Sequence, residues 1–157
     1  MLRMASFPPD REEIRRWFAD HECEWLAGEA FRFAVELEGK TVGVVGVDEI
    51  AEREGALGYW LERAAWGRGY AFEAAHVVTR FAFEDVGLSK LKAGHAHDNP
   101  GSGWVLTKLG FRLLDIVQRF SRPRGENIIQ RRYVLTSLRL ERSIDRCPPS
   151  RTFAATS

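Results

Sequence analysis

The 157 residues carry 23 Lys and Arg against 22 Asp and Glu, which leaves a formal net charge of +1. Because no global field attracts polyanions, this balance argues against a nucleic-acid-binding protein and against an anionic membrane surface as a partner. A hydrophobic content of 45% is enough for the core of one domain. Cys23 and Cys147 are too few and too far apart for a disulfide framework, which favours a reducing cytoplasm.

The two ends of the chain carry little patterning. The opening residues lack the apolar run of a signal peptide, and nowhere do about 18 apolar residues follow one another. We therefore expect a soluble protein. Hydrophobic periodicity ends near residue 140, and Pro148 and Pro149 follow a charged stretch. The pattern predicts a single domain over residues 1–139 and a mobile tail over 140–157.

The first element is predicted to be an amphipathic helix. Asp10 follows two prolines and precedes Glu13 by three residues, as in a capping box, and apolar residues then recur on one face until Gly28. Alternating residues from Phe31 to Leu37 and an apolar run from Val42 to Val47 flank a Glu-Gly turn at 38–39. These two runs predict a β-hairpin.

The remaining elements alternate between strands and helices. Ala56 to Leu61 is apolar on both faces, which is typical of a central strand. Helical spacing runs from Ala71 to Gly87 and again, over a shorter stretch, up to Gly110. Between and after these helices the pattern predicts three further strands, at Leu91–His97, Phe111–Phe120 and Ile128–Leu138. The fold class is α/β with a mixed sheet.

A glycine-bearing loop, Trp66-Gly67-Arg68-Gly69-Tyr70-Ala71, separates the central strand from the longest helix. Glycines let successive N–H groups point into one concavity, and the helix N-terminus adds roughly half a positive charge behind them. The loop is therefore suited to a pyrophosphate, although an ordinary left-handed turn is the plainer alternative. A Rossmann fingerprint fits poorly because Phe72 takes the third glycine position, and the Gly-Lys-Ser/Thr of a P-loop is absent.

Three ordered motifs resemble one known family. Gly-Tyr-Trp-Leu at 58–61 is followed by the glycine loop running into helix residues up to 75, and then by Asp-Asn-Pro-Gly-Ser at 98–102 with Lys-Leu-Gly-Phe at 108–111. In this order and spacing they resemble the GNAT superfamily, and within it the ribosomal-protein-acetyltransferase-like branch. The resemblance implies a single-domain, largely antiparallel mixed sheet, splayed at the central strand and flanked by helices.

The same resemblance implies a function and a set of site residues. The function is an N-acetyltransferase that passes acetyl from acetyl-CoA to a primary amine, on a peptide N-terminus or a small molecule, within a ternary complex. Asn99 matches the asparagine that contacts the pantetheine arm, and Ser102 matches a serine near the thioester sulfur, where it would act as the catalytic acid. A first-turn or N-cap serine is the structural alternative. The expected cofactor-binding residues are Trp60, Leu61, Gly67, Arg68, Gly69, Tyr70, Ala71, Asn99 and Ser102.

The sequence also departs from the family pattern. Ala64 stands where many members place Gln or Arg, and Ala56 stands where many place a glutamate that serves as base. Trp104 replaces a common arginine, and Leu106 falls where some branches carry a tyrosine acid. Compared with the family pattern, which usually begins with a strand and a helix, we expect this chain to start at the following helix. A catalytically weak acyl-CoA-binding or regulatory module is therefore the alternative function, with a nucleotide-binding structural protein as a third.

The general base is left open by the sequence. By residue type the candidates are His95, His97, Glu62, Glu73 and His76. His95 and His97 share one strand face, which resembles a metal pair, but no third ligand is evident and we expect no metal site.

Several clusters have two interpretations. Trp60, Trp66 and Trp104 are either acceptor-site walls or core residues. An arginine group near the end of the fold either receives an acidic acceptor or the nucleotide 3′-phosphate, or forms a solvated surface; its members are Arg119, Arg122, Arg124, Arg131 and Arg132. Trp17, Phe18 and Trp25 near the N-terminus favour a homodimer, in which a second copy covers apolar surface.

Overall fold

Six strands and three helices alternate along the chain in this computed structural model, which describes residues 11–122 and 124–137. The predicted fold class is confirmed, and each predicted element is present with its boundaries shifted by a few residues. The elements are α1 (Arg11–Ala27), β1 (Phe31–Leu37), β2 (Lys40–Ala51), β3 (Glu54–Leu61), α2 (Tyr70–Glu84), β4 (Lys90–Ala96), α3 (Pro100–Lys108), β5 (Arg112–Ser121) and β6 (Glu126–Thr136).

The strands form one sheet in the order β1-β2-β3-β4-β6-β5. Every neighbouring pair is antiparallel except β3 and β4, which run parallel and are joined by α2 as a crossover. Their pairing covers three residue pairs, from Glu54 with Lys90 to Ala56 with Lys92. Beyond Ala56, the part of the chain described here has no further pairing between these two strands, so they diverge. This divergence is the splay expected at the central strand.

The hairpin turns explain how the first three strands fold on one another. Glu38 and Gly39 both have positive φ, at 52° and 78°, as the predicted Glu-Gly turn requires. The turn between β2 and β3 repeats this conformation with Glu52 and Arg53, at 50° and 62°, although it contains no glycine. Two successive left-handed residues give a twist that matches the flanking strands. The sequence did not indicate this second turn because its usual marker residues are missing.

The hydrophobic core lies between one face of the sheet and the helices α2 and α3. The face of α2 toward the sheet is built mainly from small residues such as Ala75 and Ala82, both 0% exposed, which let the helix approach closely. Leu91 of β4 and Leu106 of α3 are also almost fully buried in this cluster. The core therefore fixes both helices relative to the splayed strands.

The helix α1 lies against β1. The Trp25 ring meets Phe31 and Phe33 edge-on, with ring centroids 4.9 and 5.3 Å away, and both phenylalanines contact Phe81 of α2. Arg32 on the other face of β1 bonds to Asp48 and to Glu24 of α1.

Some sequence predictions fall outside the described residues. These are the capping residues before α1, the side chains of Trp17 and Phe18, Leu138, Cys147 and the predicted tail at 140–157. Among the helices that the structure does describe, none has the length and apolarity needed to cross a lipid bilayer.

Candidate active site

A cleft of about 460 Å³ opens where β3 and β4 diverge. Its walls are the end of β3, the loop and first turn of α2, and the first turns of α3. Eight of the nine residues predicted to bind cofactor line it, and the exception is Arg68 in the exposed part of the loop. The lining residues are Tyr59, Trp60, Leu61, Ala65, Trp66, Gly67, Gly69, Tyr70, Ala71, Phe72, Asn99, Gly101, Ser102 and Val105.

The glycine loop bends as its sequence indicated. Gly67 and Gly69 have φ of 72° and 84°, and Gly69 is the residue that caps α2. A Cβ built at either glycine would meet no atom within 4 Å, so glycine is needed for the backbone conformation and not for space. The first N–H groups of a helix have no partner within the helix and carry its positive dipole end. The loop and the start of α2 together present a favourable surface for an anion.

Trp66 connects the loop to the splayed strand. Its indole Nε1 donates a hydrogen bond to the Leu61 carbonyl oxygen at 2.9 Å. Trp60, Trp66 and Trp104 are 47%, 61% and 77% exposed, so none of the three is a core residue. Trp60 and Trp66 line the cleft, whereas Trp104 lies outside it on another flank of α3.

Asn99 and Ser102 interact with one another through two hydrogen bonds. Asn99 is the N-cap of α3, and its Oδ1 accepts from the Ser102 backbone N–H at 3.3 Å. Its Nδ2 donates to the Ser102 hydroxyl oxygen at 3.1 Å. The Ser102 hydroxyl thus accepts one bond and keeps its own proton for donation, and accepting a bond strengthens a hydroxyl as a donor.

Tyr59 spans the cleft and was missed by the sequence analysis as a site residue. It extends from β3 and its hydroxyl donates to the Ser102 carbonyl oxygen at 3.2 Å. Burial raises the pKa of the Tyr59 hydroxyl, and an interaction with the Ser102 side chain offsets part of this rise. The hydroxyl therefore stays protonated, and remains a donor, throughout the neutral range. The contact joins residues 43 positions apart, so no local pattern indicates it.

Among the described residues that line the cleft, none is a carboxylate or a histidine. Glu62 bonds to Lys40, with Oε1 and Nζ 3.1 Å apart, and Glu73 borders a separate groove between β1 and α2. The His76 ring stacks on Phe72 with centroids 5.7 Å apart. His95 and His97 border a different hollow beside α3. Five candidate bases are thus placed away from the cleft lining.

The other predicted clusters also resolve into definite contacts. Arg124 binds Asp98 and Arg132 binds Asp115, each through two hydrogen bonds, while Arg131 contacts His97. None of the arginines in this group borders the cleft. Within the described ranges, no three His, Cys, Asp or Glu side chains come together as a set that could hold a metal ion.

Sequence comparison relates the chain to proteins named as N-acetyltransferases. It is 27% identical over 107 residues to Uncharacterized N-acetyltransferase p20 of Bacillus licheniformis, covering 66% of this chain and 60% of that protein. It is 32% identical over 113 residues to Probable N-acetyltransferase YjcK of Bacillus subtilis (strain 168), covering 69% and 62%. The chain therefore spans about three fifths of the length of the curated relatives it matches.

Structural comparison gives the same relationship at the level of the fold. Mycobacterium smegmatis RimJ in complex with CoA-disulfide matches with a TM-score of 0.75 and 24% identity, over 80% of this chain and 62% of that chain. RimJ is a member of the branch that the sequence motifs resemble. The model of the Acetyltransferase (GNAT) domain family matches residues 1–112 of the 157. The chain therefore belongs to the GNAT acetyltransferase-domain family.

Proposed function

We propose that the protein is an acetyl-CoA-dependent N-acetyltransferase that transfers acetyl to a primary amine, on a peptide N-terminus or a small molecule. The observation that carries this proposal is the cleft between β3 and β4, because two helix N-termini and an open strand side meet there. The residues of the cleft fit acetyl-CoA, the acetyl donor. The Gly67–Ala71 loop suits its pyrophosphate, and the open side of β3 suits the amides of its pantetheine arm. Arg68 is exposed beside this loop and is proposed to contact phosphate.

Direct transfer requires a neutral amine, a donor for the developing oxyanion and a proton for the departing thiolate. We assign the last role to Ser102, whose hydroxyl proton is uncommitted while its oxygen accepts from Asn99. The proton that the amine nitrogen loses after it attacks the thioester then restores the Ser102 hydroxyl. A backbone N–H on the open side of β3 near Leu61 is proposed to meet the oxyanion. Trp66 would release the Leu61 carbonyl when the donor enters, since that carbonyl lies along the same open side.

Proton removal from the amine is proposed to need no carboxylate or imidazole of the cleft, since none lines it. The fraction of neutral amine then sets the rate, so kcat/KM should rise with pH up to the pKa of the acceptor amine itself. The measurement is a pH profile with two acceptors whose amine pKa values differ. A plateau at the same pH for both acceptors, removed by replacing Glu62, His95 or His97, would establish a dedicated base.

Turnover of acetyl-CoA against a panel of peptides and small amines tests the proposal directly. The alternative, a catalytically weak acyl-CoA-binding or regulatory module, is favoured by Ala56, which is buried on β3. Many members of the family carry a glutamate at this position, where it serves as base. Tight acetyl-CoA binding with no turnover across the panel would support that module. Absence of both binding and turnover, with a nucleotide bound instead, would favour the nucleotide-binding alternative.

Gly69→Val provides a test of donor binding. The φ of 84° at Gly69 is a strained backbone conformation for valine, and such strain costs about 1–3 kcal/mol. We expect acetyl-CoA affinity to fall at least about tenfold in calorimetry, since a tenfold change corresponds to about 1.4 kcal/mol. Gly87→Val is the matched control, with a φ of 77°, equally open surroundings and a position beyond the opposite end of α2. Equal affinity in the Gly69 variant and the wild type would disprove the assignment.

We also propose a cytoplasmic homodimer. The exposed thiol of Cys23 suits a reducing compartment, and Trp25 and Leu26 are exposed on α1, where a second copy would cover them. Sedimentation at micromolar concentration tests the assembly, and a monomer alone would exclude it.

A further inference from the structure

A second hollow, of about 380 Å³, lies on the flank of α3 that does not face the cleft. Its floor is the sheet, where His95 and Tyr133 are buried, and its rim is formed by His97, Arg131 and Trp104. The volume is in the range of pockets that hold small molecules. The acetyl transfer proposed above assigns no role to these residues, so the chemistry of the hollow follows from its own contacts.

The hydrogen bonds fix which atoms on the rim can donate. Arg131 Nε lies 3.1 Å from His97 Nδ1, and a guanidinium has no acceptor, so Nδ1 must accept. The proton of neutral His97 is then on Nε2, which makes Nε2 a donor. His95 Nδ1 lies 2.7 Å from the Ala96 carbonyl oxygen, so it carries the His95 proton. Its Nε2 accepts from the Tyr133 hydroxyl at 3.2 Å. The free polar groups of the rim are therefore mainly N–H donors.

The charge of the hollow is positive. Of its lining residues in the described part of the chain, none is an aspartate or a glutamate. Asp98, which follows His97 in the chain, is bound by both nitrogens of Arg124, and Arg132 is bound to Asp115. The ion pairs recorded among the described residues leave Arg131 without a carboxylate. A guanidinium in this position is suited to a planar two-oxygen anion.

The surface beside the donors is apolar. Trp104 is 77% exposed at the rim, and Ile129 and Ile116 on the same sheet face are 53% and 52% exposed. Ile116 pairs directly with Arg131 across β5 and β6, so the apolar surface begins next to the guanidinium. We propose that this hollow binds a carboxylate carried on an aromatic or bulky apolar group, with the carboxylate at Arg131 and His97 and the apolar group against Trp104. The free acid of a small molecule and the C-terminal carboxylate of a peptide share this chemistry.

The proposal is tested without any acetyl transfer by titrating the whole chain with phenylacetate. The NMR signal of the Trp104 indole reports binding. The signal is identified with Trp104→Phe. Arg131→Gln should weaken binding at least tenfold, whereas Arg132→Gln, the neighbour on the opposite face of β6, should leave it within twofold. Phenylacetamide, which has the same ring and no charge, should bind at least tenfold more weakly than phenylacetate.

A second arm separates the two sources of carboxylate. A short peptide ending in phenylalanine is compared with its C-terminal amide. Stronger binding of the free-acid peptide than of phenylacetate indicates a peptide terminus, and the reverse order indicates a small acid; either supports the site. The proposal would be overturned if Arg131→Gln and the wild type bound phenylacetate with equal affinity, or if phenylacetamide bound as tightly as phenylacetate. NMR shifts confined to the indole signals of Trp60 and Trp66 would also overturn it. If Arg131→Gln does not fold, Trp104→Ala replaces it, with phenylacetate binding measured by calorimetry and the same tenfold loss expected.

Discussion

At the level of single side chains, Asn99 combines two tasks that are usually separate. Its Oδ1 caps α3 and its Nδ2 holds the Ser102 hydroxyl. The sequence motif alone predicts only a contact to the pantetheine arm, with an effect mainly on the KM for acetyl-CoA. Because the amide also orients the proposed acid, changes at this position are expected to affect the chemical step as well.

Asn99→Asp separates these tasks. The carboxylate keeps the cap, since aspartate and asparagine cap helices about equally well, but it cannot donate to Ser102. We expect a melting temperature close to that of the wild type and a kcat reduced about ten- to a thousandfold, as for Ser102→Ala, the range of one lost positioned donor. Asn99→Ala should add a loss of stability of about 1 kcal/mol. A kcat for Asn99→Asp equal to wild type would remove Asn99 from the chemical step.

The contacts of Tyr59 show where prediction from sequence stops at this level. Asn99 and Ser102 are three residues apart, so a motif can carry their relationship. Tyr59 meets Ser102, and His95 meets Tyr133, across 43 and 38 positions, and such contacts depend on how whole elements pack. Residue type alone identifies the five candidate bases, whereas packing determines that none of them lines the cleft.

At the level of elements, α3 is a short helix that borders both the cleft and the second hollow. One flank carries Ser102 and Val105 to the cleft, and the other carries Gly103 and Thr107 to the donor-rich hollow. The helix can sit this close to β4 because Gly103 has no side chain. A Cβ there would come within 2.8 Å of His95 Nε2.

Gly103→Ala tests this close approach. Within a helix, alanine is normally more stabilising than glycine by about 1 kcal/mol, but crowding in a packed region costs about 1–3 kcal/mol. We expect a net loss of stability in chemical denaturation. Gly101→Ala, two residues earlier in the same helix, is the control, because its Cβ would make only an ordinary contact at 3.7 Å with Asn99 Oδ1. It should be neutral or stabilising. If Gly103→Ala were instead more stable to denaturation than Gly101→Ala, α3 would tolerate displacement from β4.

The elements themselves were predictable because their patterns are local. Apolar spacing fixed α2 and both closing strands to within a few residues. The start of β3 is predicted at Ala56, two residues late, because Glu54 and Gly55 have no strand pattern. Both residues pair with β4, and Glu54 also pairs with Ala51 of β2, so neighbouring strands bring them into the sheet. The Glu52-Arg53 turn was missed for a similar reason, since its left-handed backbone is imposed by the hairpin and not by its residues.

At the level of the whole molecule, two halves of the sheet meet at three residue pairs. Strands β1 to β3 form one antiparallel half and β4 to β6 form the other. Glu54 lies at this junction and bonds to Lys90 and Lys92 of the neighbouring strand. These bonds lower the pKa of the Glu54 carboxyl, with Lys90 the larger cause. The ion cluster thus holds the closed end of the splay.

Glu54→Gln should therefore reveal an acid-sensitive contribution to stability. A carboxyl whose pKa is lowered in the folded state stabilises the protein at a pH above its unfolded-state pKa, near 4.5. This contribution is lost as the pH falls through the folded-state pKa. The wild type should melt above Glu54→Gln at about pH 6, and the difference should shrink toward about pH 3. Glu52→Gln in the adjacent turn is the control. A difference that stays constant with pH would show that Glu54 acts by packing alone.

Because β3 and β4 diverge, each of these strands has an unpaired edge in the middle of the sheet and not at its outer border. A strand edge normally invites pairing with another sheet and is a route to aggregation. Here the open edges are recessed between α2 and α3, and an incoming sheet would have to bring its own neighbouring strands, spaced about 4.8 Å apart, into the same gap. Only a single extended chain can enter. The molecule thus keeps backbone groups available for a narrow, flexible ligand while excluding the self-association that such groups would otherwise promote.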